Sequence, residues 1–172
     1  MEQRPTVWQI GIKYGLIAGL ILTVYSLILY FAELTANTWL NMVPFIILII
    51  GFILAHRSFK EEGNGYMNYG QGLGIGTIVA GISGFISSLF SYIYIKFINP
   101  EYLANILEEQ RIALEDQGLD DEQIDQFLSI FETLRTPEVS LITGVIFMII
   151  FGFILSLIVS AFTKKTDPAL EM

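Results

Sequence analysis

Apolar residues in this chain run on continuously instead of alternating with polar ones. Four stretches, Ile10–Ala32, Thr38–Ala55, Gly70–Phe97 and Val139–Phe162, reach or approach the roughly 20 residues a helix needs to cross a bilayer. Only Lys13 and Lys96 put a full charge inside them, each close to a span end, where the ammonium group can reach the headgroups. A transmembrane barrel strand would alternate apolar and polar positions, and these runs do not. The pattern predicts an all-α integral membrane four-helix bundle, with spans at approximately 10–32, 38–55, 70–97 and 139–162. The first run is too long for the apolar region of a signal peptide, and no clear small-x-small cleavage site follows it.

The pattern changes between spans three and four. Asn99 and Pro100 read as a cap and first helical residue, and Leu103, Ile106, Leu107 and Leu114 fall mainly on one helical face. Gly118 reads as a helix stop, and Asp120 with Gln123 as the start of the next helix. Ile124, Phe127, Leu128, Phe131 and Leu134 follow at helical spacing, and Thr136-Pro137 signals the start of span four. Residues 99–137 therefore form a two-helix insertion, an amphipathic hairpin outside the bilayer. Ile124, Phe127, Leu128 and Phe131 are the candidate partner face. Their stripe is buried against the other helix, on the bundle rim or outer leaflet, or by a protein partner or second copy.

Small residues recur every four positions within the spans. Gly11, Gly15 and Gly19 mark the first, and Gly72, Gly76, Ala80 and Gly84 the third. Gly144 and Gly152 mark the fourth, with Ser140, Ser156 and Ser160 in the same register and Met148 breaking it. A spacing of four places small side chains on one face, where two backbones can approach closely in lipid. The pattern predicts helix packing; a pore or substrate groove is the functional alternative. Thr77, Ser83, Ser87 and Ser91 are expected to bond back to the preceding turn. Pro44 suits a first helical turn, and Gly63-Asn64-Gly65 a turn.

Composition fits this frame: 53% of the 172 residues are apolar and 15% charged, too apolar for an ordinary soluble domain. The net charge of −8 comes mostly from the insertion, since residues 99–138 hold 11 of the 17 carboxylates. Such a balance, without a basic cluster, argues against nucleic-acid binding. Arg4, Lys13, Arg57, Lys60, Lys164 and Lys165 fall on one side of a four-span topology, against Lys96, Arg111 and Arg135 on the other. Basic residues favour the cytoplasm, so both termini are expected inside and the insertion outside. Tyr30, Phe31, Trp39, Tyr92, Tyr94 and Phe97 gather at the expected outer interface, with Trp8, Tyr14, Phe59, Tyr66 and Tyr69 at the inner one.

No catalytic constellation accompanies this architecture. The chain lacks cysteine, and no Ser–His–Asp set, P-loop or zinc motif is present. The carboxylates from Asp116 to Asp125 do not match an EF-hand, so neither a metal nor another cofactor is expected. His56, the single histidine, reads as an interfacial anchor at the inner end of span two.

The segment from Phe59 to Gly74, with Gly70-Gln71-Gly72 entering span three, resembles four-span bacterial membrane proteins of the domain of unknown function 4199 family. Phe97-Ile98-Asn99-Pro100-Glu101-Tyr102, the acidic insertion and Thr136-Pro137 fit the same family, so the resemblance covers most of the chain. It implies the inner membrane of a Gram-negative bacterium, and no activity, cofactor or catalytic residue. Taken together, the expectation is a non-enzymatic scaffold or interaction partner embedded in a lipid bilayer, acting on a protein partner or on itself through the hairpin. The alternative is a small transporter or channel component for an uncharged or apolar substrate.

Overall fold

The computed structural model describes residues 5–32, 34, 37 and 39–166. Arg4, Thr38 and most of the Glu33–Asn37 connection lie outside the described residues. Among the described residues four helices are long and apolar enough to cross a membrane, which makes this a multi-pass membrane protein. Helix α1 spans Val7–Phe31. Its start is fixed by a reciprocal cap: the Gln9 amide donates to Thr6 Oγ1 at 3.2 Å, and the Thr6 amide to Gln9 Oε1 at 2.9 Å. A 3-10 turn, Leu40–Met42, leads into α2, Val43–Glu61, with Pro44 in the first turn as expected. The Tyr25 hydroxyl donates to the Leu40 carbonyl at 2.8 Å and ties that turn to α1.

Helix α2 runs six residues beyond the expected boundary at Ala55. Hydropathy registers only the part of a helix that suits lipid, whereas Arg57, Lys60 and Glu61 are good helix formers that extend the coil past it. The Gly63–Gly65 turn is present, with Gly65 at φ +82°. Helix α3, Tyr69–Ile93, begins with another reciprocal pair, Asn68 and Gln71, at 2.8 and 2.9 Å. It ends in a π-helical turn, Tyr94–Ile98.

Helix α4 is Tyr102–Asp116, two residues later than the cap at Asn99 predicts. The Asn99 amide bonds back to the Tyr94 carbonyl at 2.8 Å, which makes Asn99 the end of the π turn instead of a helix start. Gly118, at φ +78°, closes α4: its amide reaches the Glu115 carbonyl, and the Leu119 amide reaches that of Leu114. Asp120 caps α5, Asp121–Leu134, by accepting from the Gln123 amide at 2.9 Å. Pro137 opens α6, Pro137–Thr163.

Two compact units emerge. The first holds α1, α2, α3 as far as Ser87 and α6 from Val145. Its core is built from Ile10, Ala18 and Leu22 of α1, Leu48, Phe52 and Ala55 of α2, Ile75 and Val79 of α3, and Val159 of α6. Met67 and Lys165 exchange backbone hydrogen bonds, both 2.9 Å, which pin the loop before α3 to the end of α6. The second unit, Ser88–Gly144, contains α4 and α5 packed on each other. Arg111 and Asp125 join these two helices at 2.6 Å, and Lys96 meets Glu138 at 2.6 Å.

Two aromatics assigned to the interfacial belts are instead buried: Phe59 joins the core, and Tyr94 meets Tyr102 edge-on with ring centres 6.3 Å apart. A large ring at a span end gains more from protein contact than from headgroups when a neighbouring helix covers it. Trp8, Phe31, Trp39 and Phe97 are exposed.

Candidate functional site

Helix α3 uses opposite sides for two kinds of contact. On one, Ile78, Ile82 and Ile86 enter the spaces left by Gly11, Gly15 and Gly19 of α1: a Cβ placed on these glycines would lie 2.6, 2.8 and 2.9 Å from isoleucine side-chain atoms. Both series advance together, so α1 and α3 run parallel. On the other side Gly72 faces Ser160, Gly76 faces Ser156, Ala80 faces Gly152 and Gly84 faces Met148. Each step of four along α3 meets a step of four backwards along α6, so this pair is antiparallel. Met148, the break in the sequence pattern, fills the room that Gly84 leaves: a Cβ on Gly84 would lie 2.6 Å from Met148 Cβ. In the second unit Gly144 faces Ser88 in the same manner.

These contacts favour tight packing over a pore between α3 and α6. The hydroxyls of Thr77, Ser83 and Ser87 bond back to carbonyls of the preceding turn at 2.8, 3.2 and 2.9 Å, as expected. The partner of the α1 glycines escaped the sequence, because isoleucines on an apolar helix look the same whether they face protein or lipid.

At the end of this ladder sits His56. It is fully buried, and is not the interfacial anchor that its place at the inner end of span two suggests. One signal was available: His56 shares a helical face with Leu48, Phe52 and Phe59, all buried. Its Nε2 lies 2.9 Å from the Gly72 carbonyl of α3, and its Nδ1 lies 2.7 Å from Thr163 Oγ1 of α6. One side chain of α2 therefore bonds both α3 and α6.

A carbonyl only accepts, so Nε2 carries a proton. The Thr163 hydroxyl also lies 2.8 Å from the Val159 carbonyl. A neutral ring protonated at Nε2 must take the hydroxyl proton at Nδ1, in competition with Val159; a doubly protonated ring satisfies both. The tautomer is inferred from this network. Around it the Ser156 hydroxyl donates to the Leu73 carbonyl at 3.3 Å, and Lys60 Nζ to the Thr163 carbonyl at 3.0 Å. Further out, Glu62 accepts from Ser58 and pairs with Lys13 of α1 at 3.1 Å. The Ser58 hydroxyl first, and Lys13 second, hold the Glu62 carboxyl below the usual range. Among the described residues no cluster of His, Asp or Glu has metal-binding geometry.

In the hairpin the four residues of the candidate face separate. Ile124 is fully buried, and Leu128 lines a cleft with Leu107 of α4. Phe127 is 44% exposed and stacks on Phe131 with ring centres 6.0 Å apart. The guanidinium of Arg135 lies 4.9 Å from the Phe131 ring. Ile130 and Leu134, 62% and 57% exposed, extend this bare edge. The apolar arc of α5 is thus broader than one contact, with one edge covered and the other uncovered.

No curated protein and no solved structure matches the chain. A family model described as "Protein of unknown function (DUF4199)" matches residues 13–165, from the first turns of α1 to the Lys165 bridge, and the chain belongs to that family.

Proposed function

We propose that this multi-pass protein is a non-enzymatic scaffold of a bacterial inner membrane, with both termini in the cytoplasm, that docks a protein partner through the extracytoplasmic α4–α5 hairpin. The observation that carries this reading is the uncovered stripe of Phe127, Ile130 and Leu134, with Phe131 half-buried beside it. An exposed apolar stripe rimmed by charge is the usual form of a helix that receives a partner.

Charge narrows the occupant. Residues 99–138 hold 11 carboxylates against Arg111 and Arg135, so a second copy or an anionic lipid surface would meet like charge. The fitting partner offers an apolar groove flanked by lysine or arginine. The close packing along α3 weighs against the alternative of a channel or transporter.

Photo-crosslinking residues at Phe127 and Ile130, incorporated in intact cells, test this. The expected result is one discrete protein adduct from both positions, reduced by more than half when Leu134→Asp places a charge on the stripe. Adducts of twice the chain mass would instead make the occupant a second copy. Lipid adducts alone, or adducts equally strong from Gln117, would overturn the proposal. An engineered Gln117→Cys, labelled in intact cells by a thiol reagent that cannot cross the membrane, checks the orientation independently.

A further inference from the structure

We infer that α2 carries a binding site for a single anionic phospholipid, with the phosphate at Arg57 and Lys165 and an acyl chain along Ile47, Ile50 and Leu54. Two depressions in the first unit carry the inference. One is an almost purely apolar groove of about 250 Å³ between α1 and α2, lined by Tyr14, Ile17 and Ile21 and by Ile47, Ile50 and Leu54. The other, about 430 Å³, is lined by Arg57, Lys60, Glu61 and Lys165 with Gly63 and Gly65.

The two share one helical stripe. Positions 47, 50, 54, 57 and 61 of α2 follow steps of three and four, so they stack on one face. Along that stripe the lining changes from apolar to charged between Leu54 and Arg57, about 4.5 Å apart along the axis. A ligand that follows it must be apolar at one end and ionic at the other.

The sign of the ionic end is set by the charges. Three cations face one carboxylate in a chain whose net charge is −8. Glu61 is engaged by Arg57 Nε at 2.7 Å, which leaves the guanidinium's planar donor fork only partly used. Lys60 Nζ donates to the Thr163 carbonyl at 3.0 Å, and Lys165 Nζ lies 5.5 Å from the centre of the Tyr66 ring. The groove is built, not incidental: the paired Met67–Lys165 backbone bonds hold its two walls together. Gly65, at φ +82°, has nothing within 4 Å of the Cβ it lacks, so the mouth stays open. The site lies at the polar end of a span, the depth at which phosphates sit, and basic pockets between spans take such headgroups.

The experiment is native mass spectrometry of the full chain, released from nanodiscs of equal parts phosphatidylglycerol and phosphatidylcholine. One retained phosphatidylglycerol per chain is expected, with phosphatidylcholine lost at the same collision energy. Arg57→Gln with Lys165→Gln, both at exposed positions, is expected to weaken retention roughly fivefold per cation removed. Arg57→Lys with Lys165→Arg is expected to retain most of it. Ile50→Trp, which fills the apolar groove and leaves every charge in place, is expected to weaken it as well. Unchanged helical circular dichroism shows that the variants fold. Equal retention of the two lipids, or equal retention by wild type and the Gln variant, would overturn the inference. So would inorganic phosphate displacing the lipid at millimolar concentration, because the site would then be for free phosphate.

Discussion

Replacing Gly76 with leucine is expected to lower the folding stability of the detergent-solubilised protein by about 3 kcal/mol or more. A Cβ at position 76 already lies 2.7 Å from Ser156 Cβ, so even the first carbon of a side chain has no room. Leucine adds three more carbons, and the contact involves not only the Ser156 hydroxyl but also its Cβ, which is fixed to the backbone and cannot swing away. The strain must therefore separate α3 from α6 along their length. In lipid the loss is not offset by hydrophobic burial, since the tails solvate a parted helix as well as another helix does. The control is a size exchange. Gly76→Ala alone is expected to destabilise, whereas Gly76→Ala with Ser156→Gly moves the methyl-sized bulk across the contact. The pair is expected to return to within about 1–2 kcal/mol of wild type, the residue being the new glycine's helix penalty and the lost serine hydroxyl. Unfolding in mixed micelles of increasing dodecyl sulfate, followed by helical circular dichroism, reads both values.

Replacing His56 with leucine is expected to cost about 2–4 kcal/mol. The volume is nearly conserved, so the loss isolates the hydrogen bonds that the ring makes to the Gly72 carbonyl and the Thr163 hydroxyl. His56→Gln is expected to fall between the two, because its amide can still donate to Gly72 but does not reach Thr163. Thr163→Val removes the same second bond from the other side, so its effect on top of His56→Gln is expected to be small. An additive result for that pair would mean that the two residues do not act through one bond. The same unfolding assay serves.

Much of this architecture is legible in the residue pattern. The apolar runs predict the spans, Gly118 and Asp120 predict the break between α4 and α5, and the spacing of Gly72, Gly76, Ala80 and Gly84 predicts a packing face. What one helix meets is less legible. Nothing local distinguishes Ile78, Ile82 and Ile86, which fill α1, from isoleucines that face lipid. Met148 looks like a fault in the series of small residues until Gly84 is seen opposite it. His56 reads as a terminal anchor because α2 continues past its hydropathy boundary, which places the ring inside the protein. In α5 the periodicity shows a broad apolar arc but not which edge α4 covers, so Ile124 and Leu128 turn inward while Ile130 and Leu134 join the exposed side.

The central claim is the antiparallel register of α3 on α6, because it places Gly72 and Thr163 where His56 can bond both. The chain contains no cysteine, so engineered pairs form disulfides without interference. A Cβ on Gly144 would lie 3.5 Å from Ser88 Cβ, a separation that a disulfide spans. In native membranes under mild oxidation, Ser88→Cys with Gly144→Cys is expected to crosslink nearly completely. The one-turn offsets, Tyr92→Cys with Gly144→Cys and Ser88→Cys with Ser140→Cys, are expected to remain reduced. Crosslinking at either offset pair in preference to 88 and 144 would contradict the register.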